Sequence, residues 1–403
     1  MKILFTGPLK DFSGFAHASR NFLKSLQKTS HDIVARELEY DVSDNGKACK
    51  LDDESLKCFD KPLKDIQMVI QMTTCNVEAV AVPNVCNILY TFLESDRVQK
   101  SWADKANTFD FIIVPCVANA EALNRSGVTV PIAICPPPND SLAYEQPFAS
   151  LDLKIPNLEN KTVFYNICQL SGKKGIDALL RAYYAAFADT PDEVLLILKT
   201  YINMADRSQD HEIIKSFIKA VRDGCRIPVQ KHPPVLPIVY NMSDEEISGL
   251  HGLGDCYVCS SRAEGWGIPA FDALGHGKTL ISNTYGGLGS FVNKENSIVY
   301  GGMTTLFFDI KHQDPGLFTG MEQCFEPSPA EMAACMRRFH TLNKASKTNS
   351  LTEKDKLEWG AINTMRKNGK ITTKAFDYRA MAPQIEKVID HIYSEFLKNK
   401  AGA

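Results

Sequence analysis

Asp255-Cys-Tyr-Val-Cys259-Ser-Ser-Arg-Ala-Glu264-Gly-Trp-Gly267-Ile-Pro-Ala-Phe-Asp272-Ala-Leu-Gly-His276-Gly-Lys-Thr279-Leu-Ile-Ser282 reads as a strand, a glycine-bearing turn, a helix and a second strand. The run 255–260 is apolar and of strand length. Pro269 stands near the start of the helix expected over 268–276, where its fixed φ and missing N–H cost nothing. The run 279–282 is apolar again. Short, continuously apolar strands separated by helices are the pattern of a parallel sheet covered on both faces.

The same rhythm extends upstream. Strands are expected over 162–167, 193–199 and 235–239, with helices over 175–188, 211–223 and 243–250. Before residue 138 a second series appears, with strands over 2–5, 68–71, 87–92, 111–114 and 132–135 and helices over 15–26, 98–107 and 119–125. Cys135-Pro-Pro-Pro-Asn139 interrupts the two series, and three consecutive prolines fit neither a helix nor a central strand. The expected fold is α/β: two doubly wound Rossmann-like domains facing a central cleft. The boundaries are an N-terminal domain over 1–138, a linker over 139–160, a C-terminal domain over 161–376, and a helix over 377–403 returning towards the N-terminal domain. Met381, Ile385, Val388, Ile389, Ile392, Tyr393 and Phe396 recur at helical spacing in that tail.

Bulk properties exclude several classes. The 403 residues exceed one common domain. A net charge of −3 gives no overall pull towards nucleic acid or anionic membrane. No apolar run approaches the roughly 18 residues of a membrane span, and MKILFTGPL, with few apolar residues before Gly7 and Pro8, is not expected to act as a signal peptide. Twelve cysteines without a secretory signal are expected as reduced thiols in a cytoplasmic protein. Cys256 and Cys259 sit in an apolar strand and read as small core residues.

Three loops carry candidate chemistry. Gly7-Pro-Leu-Lys-Asp-Phe-Ser-Gly14 leaves the first strand and enters a helix, a place where a backbone can approach a phosphate. It is not a Gly-x-Gly-x-x-Gly fingerprint, and no acidic residue is expected to end the next strand cleanly. Gln169-Leu-Ser-Gly-Lys173-Lys174-Gly175 places two lysines beside a helix start, where a diphosphate could sit. In the third loop Glu264 and Asp272 lie eight residues apart, one in the turn and one on the helix. Both suit sugar hydroxyls at the carboxyl ends of the strands.

Across nearly its whole length the chain resembles the retaining glycosyltransferases of GT-B fold, specifically family 4. The E-x7-E motif of that family, with an internal Gly-aromatic-Gly, is matched by Glu264 through Asp272. The resemblance implies that Glu264 contacts the transferred sugar and Asp272 the nucleotide ribose. It assigns Gly265, Trp266, Gly267, Ile268 and Pro269 to donor binding together with Gly14 and Phe15. The family's Arg-x4-Lys pair falls on Gln169 and Lys174. Tyr90-Thr-Phe-Leu-Glu94-Ser-Asp-Arg97 resembles an acceptor-side segment, so Ser13, Glu94 and Arg97 are acceptor candidates. The segment 241–250 resembles the one near the nucleobase.

Two departures stand out. Asp272 is one methylene shorter than the family's glutamate, and Gln169 removes a cation that Lys173 or Lys199 is placed to replace. The implied activity is transfer of a hexosyl or pentosyl group from a UDP- or GDP-sugar to an acceptor hydroxyl, with retention and without a metal. The nucleotide sugar is a co-substrate, and no cofactor is expected. The alternative is a catalytically degenerate protein of the same fold that binds a sugar nucleotide or a partner. The acceptor is open: a glycan or lipid-linked sugar, a small molecule, or a hydroxylated DNA base. Residues 337–379 hold 11 Lys and Arg against 4 Asp and Glu, which reads as a solvated helical surface or as a contact for phosphates.

Overall fold

A computed structural model describes residues 1–38, 49–75, 79–202, 208–228, 231–307 and 319–401. The chain divides into two compact units. The first holds the described residues of Met1–Ser141, Gln313–Glu322 and Ala375–Ala403, and the second those of Leu142–His312 and Gln323–Lys374.

In the first unit β1 (Lys2–Gly7), α1 (Gly14–Gln27), β2 (Asp32–Glu37), α2 (Asp53–Phe59), β3 (Met68–Met72) and β4 (Cys86–Tyr90) are followed by α3 (Lys100–Ala106), β5 (Phe111–Val114), α4 (Val117–Arg125) and β6 (Ile132–Ile134). The strands form one parallel sheet in the order β2-β1-β3-β4-β5-β6. Every residue of β3, β4 and β5 is buried, as a strand with helices on both faces must be. β2 is absent from the sequence expectation because only Ile33, Val34 and Ala35 are buried in it. It ends on an acid after all. Glu37 accepts hydrogen bonds from the Leu9 and Lys10 amides at 3.0 and 3.1 Å, so this carboxylate holds the loop after β1.

The second unit runs β7 (Thr162–Gln169), α5 (Ile176–Phe187), β8 (Val194–Tyr201), α6 (Asp210–Gly224), β9 (Val235–Ile238) and α7 (Asp244–Leu253). It continues with β10 (Cys256–Val258), α8 (Ile268–Gly275), β11 (Thr279–Ser282) and β12 (Ile298–Val299). A hairpin of β13 (Gly302–Leu306) and β14 (Gln323–Pro327) follows, then α9 (Pro329–Lys347) and α10 (Glu353–Lys374). The parallel sheet has the order β12-β11-β10-β7-β8-β9. Numbered within the unit this is 6-5-4-1-2-3, the dinucleotide-binding arrangement, and its order reverses between β7 and β10. The core under the sheet packs Phe164, Tyr183, Phe187 and Leu196 against Met332, Met336 and Phe339 of α9.

The final helix, α11 (Tyr378–Ala401), belongs to the first unit. It buries Met381, Ile385, Ile389 and Ile392, and the Ser25 hydroxyl of α1 donates to the Tyr378 carbonyl at 3.2 Å. All twelve cysteines are free thiols. Among the described residues no helix is long and apolar enough to cross a membrane.

Candidate functional site

The site follows from the strand order of the second unit. β7 and β10 are neighbours, so the loops that leave them lie side by side at the carboxyl edge of the sheet. An open α/β sheet binds ligands at such a reversal. The two loops are stitched together by backbone. Arg262 N donates to the Lys173 carbonyl at 2.7 Å, and the Ser260 hydroxyl to the Lys174 carbonyl at 2.8 Å. Gly175 permits this approach. Its φ is +59°, and a Cβ there would stand 2.2 Å from the Ser260 oxygen. Only glycine meets both demands without strain.

This stitching brings Lys174 and Glu264 together, ninety residues apart in sequence. Lys174 Nζ lies 2.9 Å from Glu264 Oε1, with side chains only 12% and 14% exposed. The Ser261 hydroxyl donates to the same oxygen at 2.7 Å, and Asn283 Nδ2 holds the Ser261 carbonyl at 2.9 Å. A half-dry ammonium beside a fixed carboxylate is charge held in place before any ligand arrives.

Arg262, between these residues, ties the corner to the rest of the unit. Its guanidinium pairs with both oxygens of Asp177 on α5 at 2.9 and 3.1 Å. It pairs likewise with both oxygens of Glu326 on β14 at 2.6 and 2.9 Å, and Nη1 also reaches the Gly172 carbonyl at 2.8 Å. Burial works against the charge on Arg262, but the two carboxylates outweigh it and raise the guanidinium pKa above its ordinary value. Burial also opposes the charge on Asp177, yet Arg262 holds that carboxyl below the usual range. Arg262 was visible in the motif as a charge at a strand exit. Its partners, 85 and 64 residues away, were not.

The remaining candidates divide by unit. In the second, Gly267 takes φ +97° as the residue before α8, and a Cβ there would meet Leu288 at 2.6 Å. Gly265 is buried, and Ile268 and Pro269 form the half-buried first turn of α8. Trp266 is packed inward, 2% exposed, with its ring 5.7 Å from Phe271 and 5.2 Å from Phe291. Asp272 accepts a hydrogen bond from the Tyr144 hydroxyl at 2.6 Å. Gln169 donates its amide to the Ile202 carbonyl at 2.9 Å. Lys199 is 6% exposed and stands opposite Ile167 in the β7–β8 register. Burial pushes the Cys168 thiol upward, and Lys174, Lys199 and Glu264 all act electrostatically on it, so both lysines and the acid share this corner.

In the first unit Ser13 caps α1, its hydroxyl accepting from Ala16 N at 3.0 Å. Gly14 is exposed at the helix start. Phe15 packs edge-on against Phe92 at 5.1 Å, which joins this turn to the loop after β4. That loop carries Glu94 and Arg97, both half-buried. Arg97 pairs with Asp96 at 3.4 Å.

Solved structures with this architecture exist. HepE of Anabaena, in complex with UDP and glucose, superposes with a TM-score of 0.64 at 14% identity, covering 97% of this chain and all of that one. The sucrose-phosphate synthase of Thermosynechococcus elongatus gives 0.63 at 13% identity over 98% of this chain and all of that one. The trehalose 6-phosphate synthase of Burkholderia multivorans gives 0.64 at 11% identity over all of this chain and 98% of that one. The chain has the GT-B fold. No protein-family model and no curated protein sequence matches it. HepE has also been captured with UDP-glucose. In this chain the reversal of strand order, Lys174 and Glu264 coincide at the carboxyl edge of one sheet.

Proposed function

We propose that this chain is a glycosyltransferase that moves a sugar from a nucleoside-diphosphate sugar, a UDP-sugar in the first instance, to an acceptor hydroxyl with retention of configuration. The observation that carries the reading is the Lys174–Glu264 pair at 2.9 Å on the switch point of the second sheet. In this reading Lys174 neutralises the departing diphosphate, helped by Lys199 and by N–H groups at the start of α8. Glu264 orients the sugar and balances positive charge developing at the anomeric carbon. Asp272 accepts the ribose hydroxyls. The acceptor oxygen bonds to the anomeric carbon as the bond to the diphosphate oxygen breaks. The acceptor proton passes to that departing oxygen, so no separate base is required. Charge balance comes from the chain's own cations, and the reading calls for no divalent metal. Ser13, Glu94 and Arg97 are proposed acceptor contacts.

The test begins with thermal stabilisation by a panel of UDP- and GDP-sugars, since a ligand that binds only the folded state raises its stability. Release of the sugar from a radiolabelled donor is then followed in wild type and Glu264→Ala, and the anomeric configuration of the product is read by NMR. Stabilisation without turnover in wild type would support the degenerate sugar-nucleotide-binding reading, which Gln169 and Asp272 motivate. Turnover that survives Glu264→Ala would overturn the assignment of the site.

A further inference from the structure

The carboxylate proposed to read the ribose has a partner that no local pattern announces. Tyr144 lies in a single 3-10 turn, Ala143–Glu145, at the beginning of the second unit. Its hydroxyl donates to Asp272 Oδ1 at 2.6 Å, across 128 residues of sequence. The ring is seated rather than merely adjacent. A Cβ at Gly275, one turn beyond Asp272 on α8, would stand 2.4 Å from two atoms of the Tyr144 ring. The His276 ring meets it edge-on at 4.9 Å. The strap that carries Tyr144 is fastened at the last residue of its turn and again just beyond it. Lys374 pairs with Glu145 at 2.5 Å, and Phe148 packs on His276 at 5.4 Å with Lys278 Nζ 4.7 Å over its ring.

We infer that Tyr144 is a positioning residue for Asp272, holding its carboxylate in the orientation that accepts the ribose hydroxyls of the donor. The inference rests on the ribose role proposed for Asp272. A carboxylate offers about four acceptor positions on its two oxygens, so a tyrosine hydroxyl and two ribose hydroxyls can share it. Asp272 has one methylene fewer than the glutamate of the resembling family, and the tyrosine donor at 2.6 Å fixes the short side chain. A tyrosine hydroxyl does this well because its ring is rigid and, here, packed. Gly275 is part of the device: α8 must lack a side chain there for the ring to reach the acid.

The experiment measures affinity of the full chain for UDP and GDP and for their 2′,3′-dideoxy analogues by titration calorimetry. Wild type, Asp272→Asn, Tyr144→Phe and Gly275→Ala are compared, each first checked for a cooperative melt. Asp272→Asn is expected to weaken the parent nucleotide at least tenfold and the dideoxy analogue by less than twofold. Tyr144→Phe keeps the ring and removes one hydroxyl. It is expected to weaken the parent nucleotide roughly fivefold, the order expected for one hydrogen bond, and to leave the dideoxy analogue within twofold. Gly275→Ala displaces the same ring by another route and should show the same selectivity. If Asp272→Asn is selective while Tyr144→Phe is neutral, or weakens both nucleotides alike, the positioning role is wrong and the ribose role of Asp272 stands. If Asp272→Asn itself shows no selectivity, the ribose role fails and the inference about Tyr144 falls with it.

Discussion

Replacing Arg262 by methionine should destabilise the second unit by an amount that the structure lets one work out. The substitution keeps an apolar stem and deletes a guanidinium that makes four carboxylate contacts between 2.6 and 3.1 Å. Asp177 then keeps only the longer contact to Arg181 at 3.8 Å, and Glu326 loses the guanidinium that met both its oxygens. Breaking a buried ion pair from one side costs about 3–5 kcal/mol. Arg262 is 11% exposed, but Asp177 is 26% and Glu326 40% exposed, so water recovers part of that cost. About 2–3 kcal/mol remains. For a unit of this size each kcal/mol lowers Tm by about 2–4 °C, which places the expected drop at roughly 4–12 °C. Differential scanning calorimetry of the full chain at pH 8 measures it. A triple variant, Arg262→Met with Asp177→Asn and Glu326→Gln, removes the stranded charges and should recover at least half of the loss. Arg262 holds the Asp177 carboxyl below 3.8, so the stability of that pair is present above this value and is lost as pH falls below it; the deficit of the single variant should therefore stay level from pH 8 to pH 5 and shrink only below about 4. A melt within a degree of wild type at pH 8, or a deficit that grows towards acid, would refute the account.

Lys174→Met and Glu264→Gln should each lower turnover of a donor sugar by about 10²–10³, the size seen when one fixed electrostatic contact to a transition state is removed; an initial-rate assay with loss under tenfold would contradict the pairing as the working core of the site. Lys199→Met should weaken UDP binding while leaving uridine binding unchanged, and equal effects on both in calorimetric titrations would deny it contact with the diphosphate. Gly175→Ala sets a Cβ 2.2 Å from the Ser260 oxygen at φ +59° and should separate the two loops, costing about 1–3 kcal/mol; chemical denaturation showing no loss would mean that the loops yield freely. Burial takes the His276 pKa from 6.5 to about 4, with Lys278 and Lys370 assisting. The ring is therefore neutral in both states at pH 7, and as pH falls from 6.5 towards 4 the unfolded chain takes up a proton that the folded chain refuses, so stability is lost over that window. His276→Gln should lose less stability there, by at most about 3 kcal/mol, and parallel melting curves at pH 7 and 4.5 would exclude the effect.

How much of this was readable in advance depends on how local each feature is. The runs 111–114 and 279–282 coincide with β5 and β11, since four consecutive buried residues between helices leave little choice. The run expected over 87–92 ends early, at Tyr90, because Phe92 has left the sheet to meet Phe15. α9 and α10 were seen only as one basic stretch; their outer faces carry the lysines, while Met332, Met336 and Phe339 of α9 are buried in the core. Glu264 and Lys174 were readable because each sits in a strand–loop–helix unit a few residues long. Arg262 and Tyr144 were not assigned roles, since their meaning lies in partners 64 to 128 residues away.

What separates the two groups is strand order. Parallel strands of a doubly wound sheet are interchangeable apolar runs, so nothing within β7 or β10 says that they are neighbours. Once the order is known, the charges of the corner can be balanced. Gln169, read alone, is a cation lost from the diphosphate site. In the folded unit its amide is turned to the Ile202 carbonyl, and Cys168 beside it feels two ammonium groups, Lys174 and Lys199, together with the Glu264 carboxylate and the Cys259 thiol. Lys199 comes from β8, a strand that the loop motif does not include, and it reaches the corner because β8 pairs with β7 along its whole length. In the proposed function, the second cation beside a departing diphosphate would come from the sheet, through Lys199, rather than from the loop.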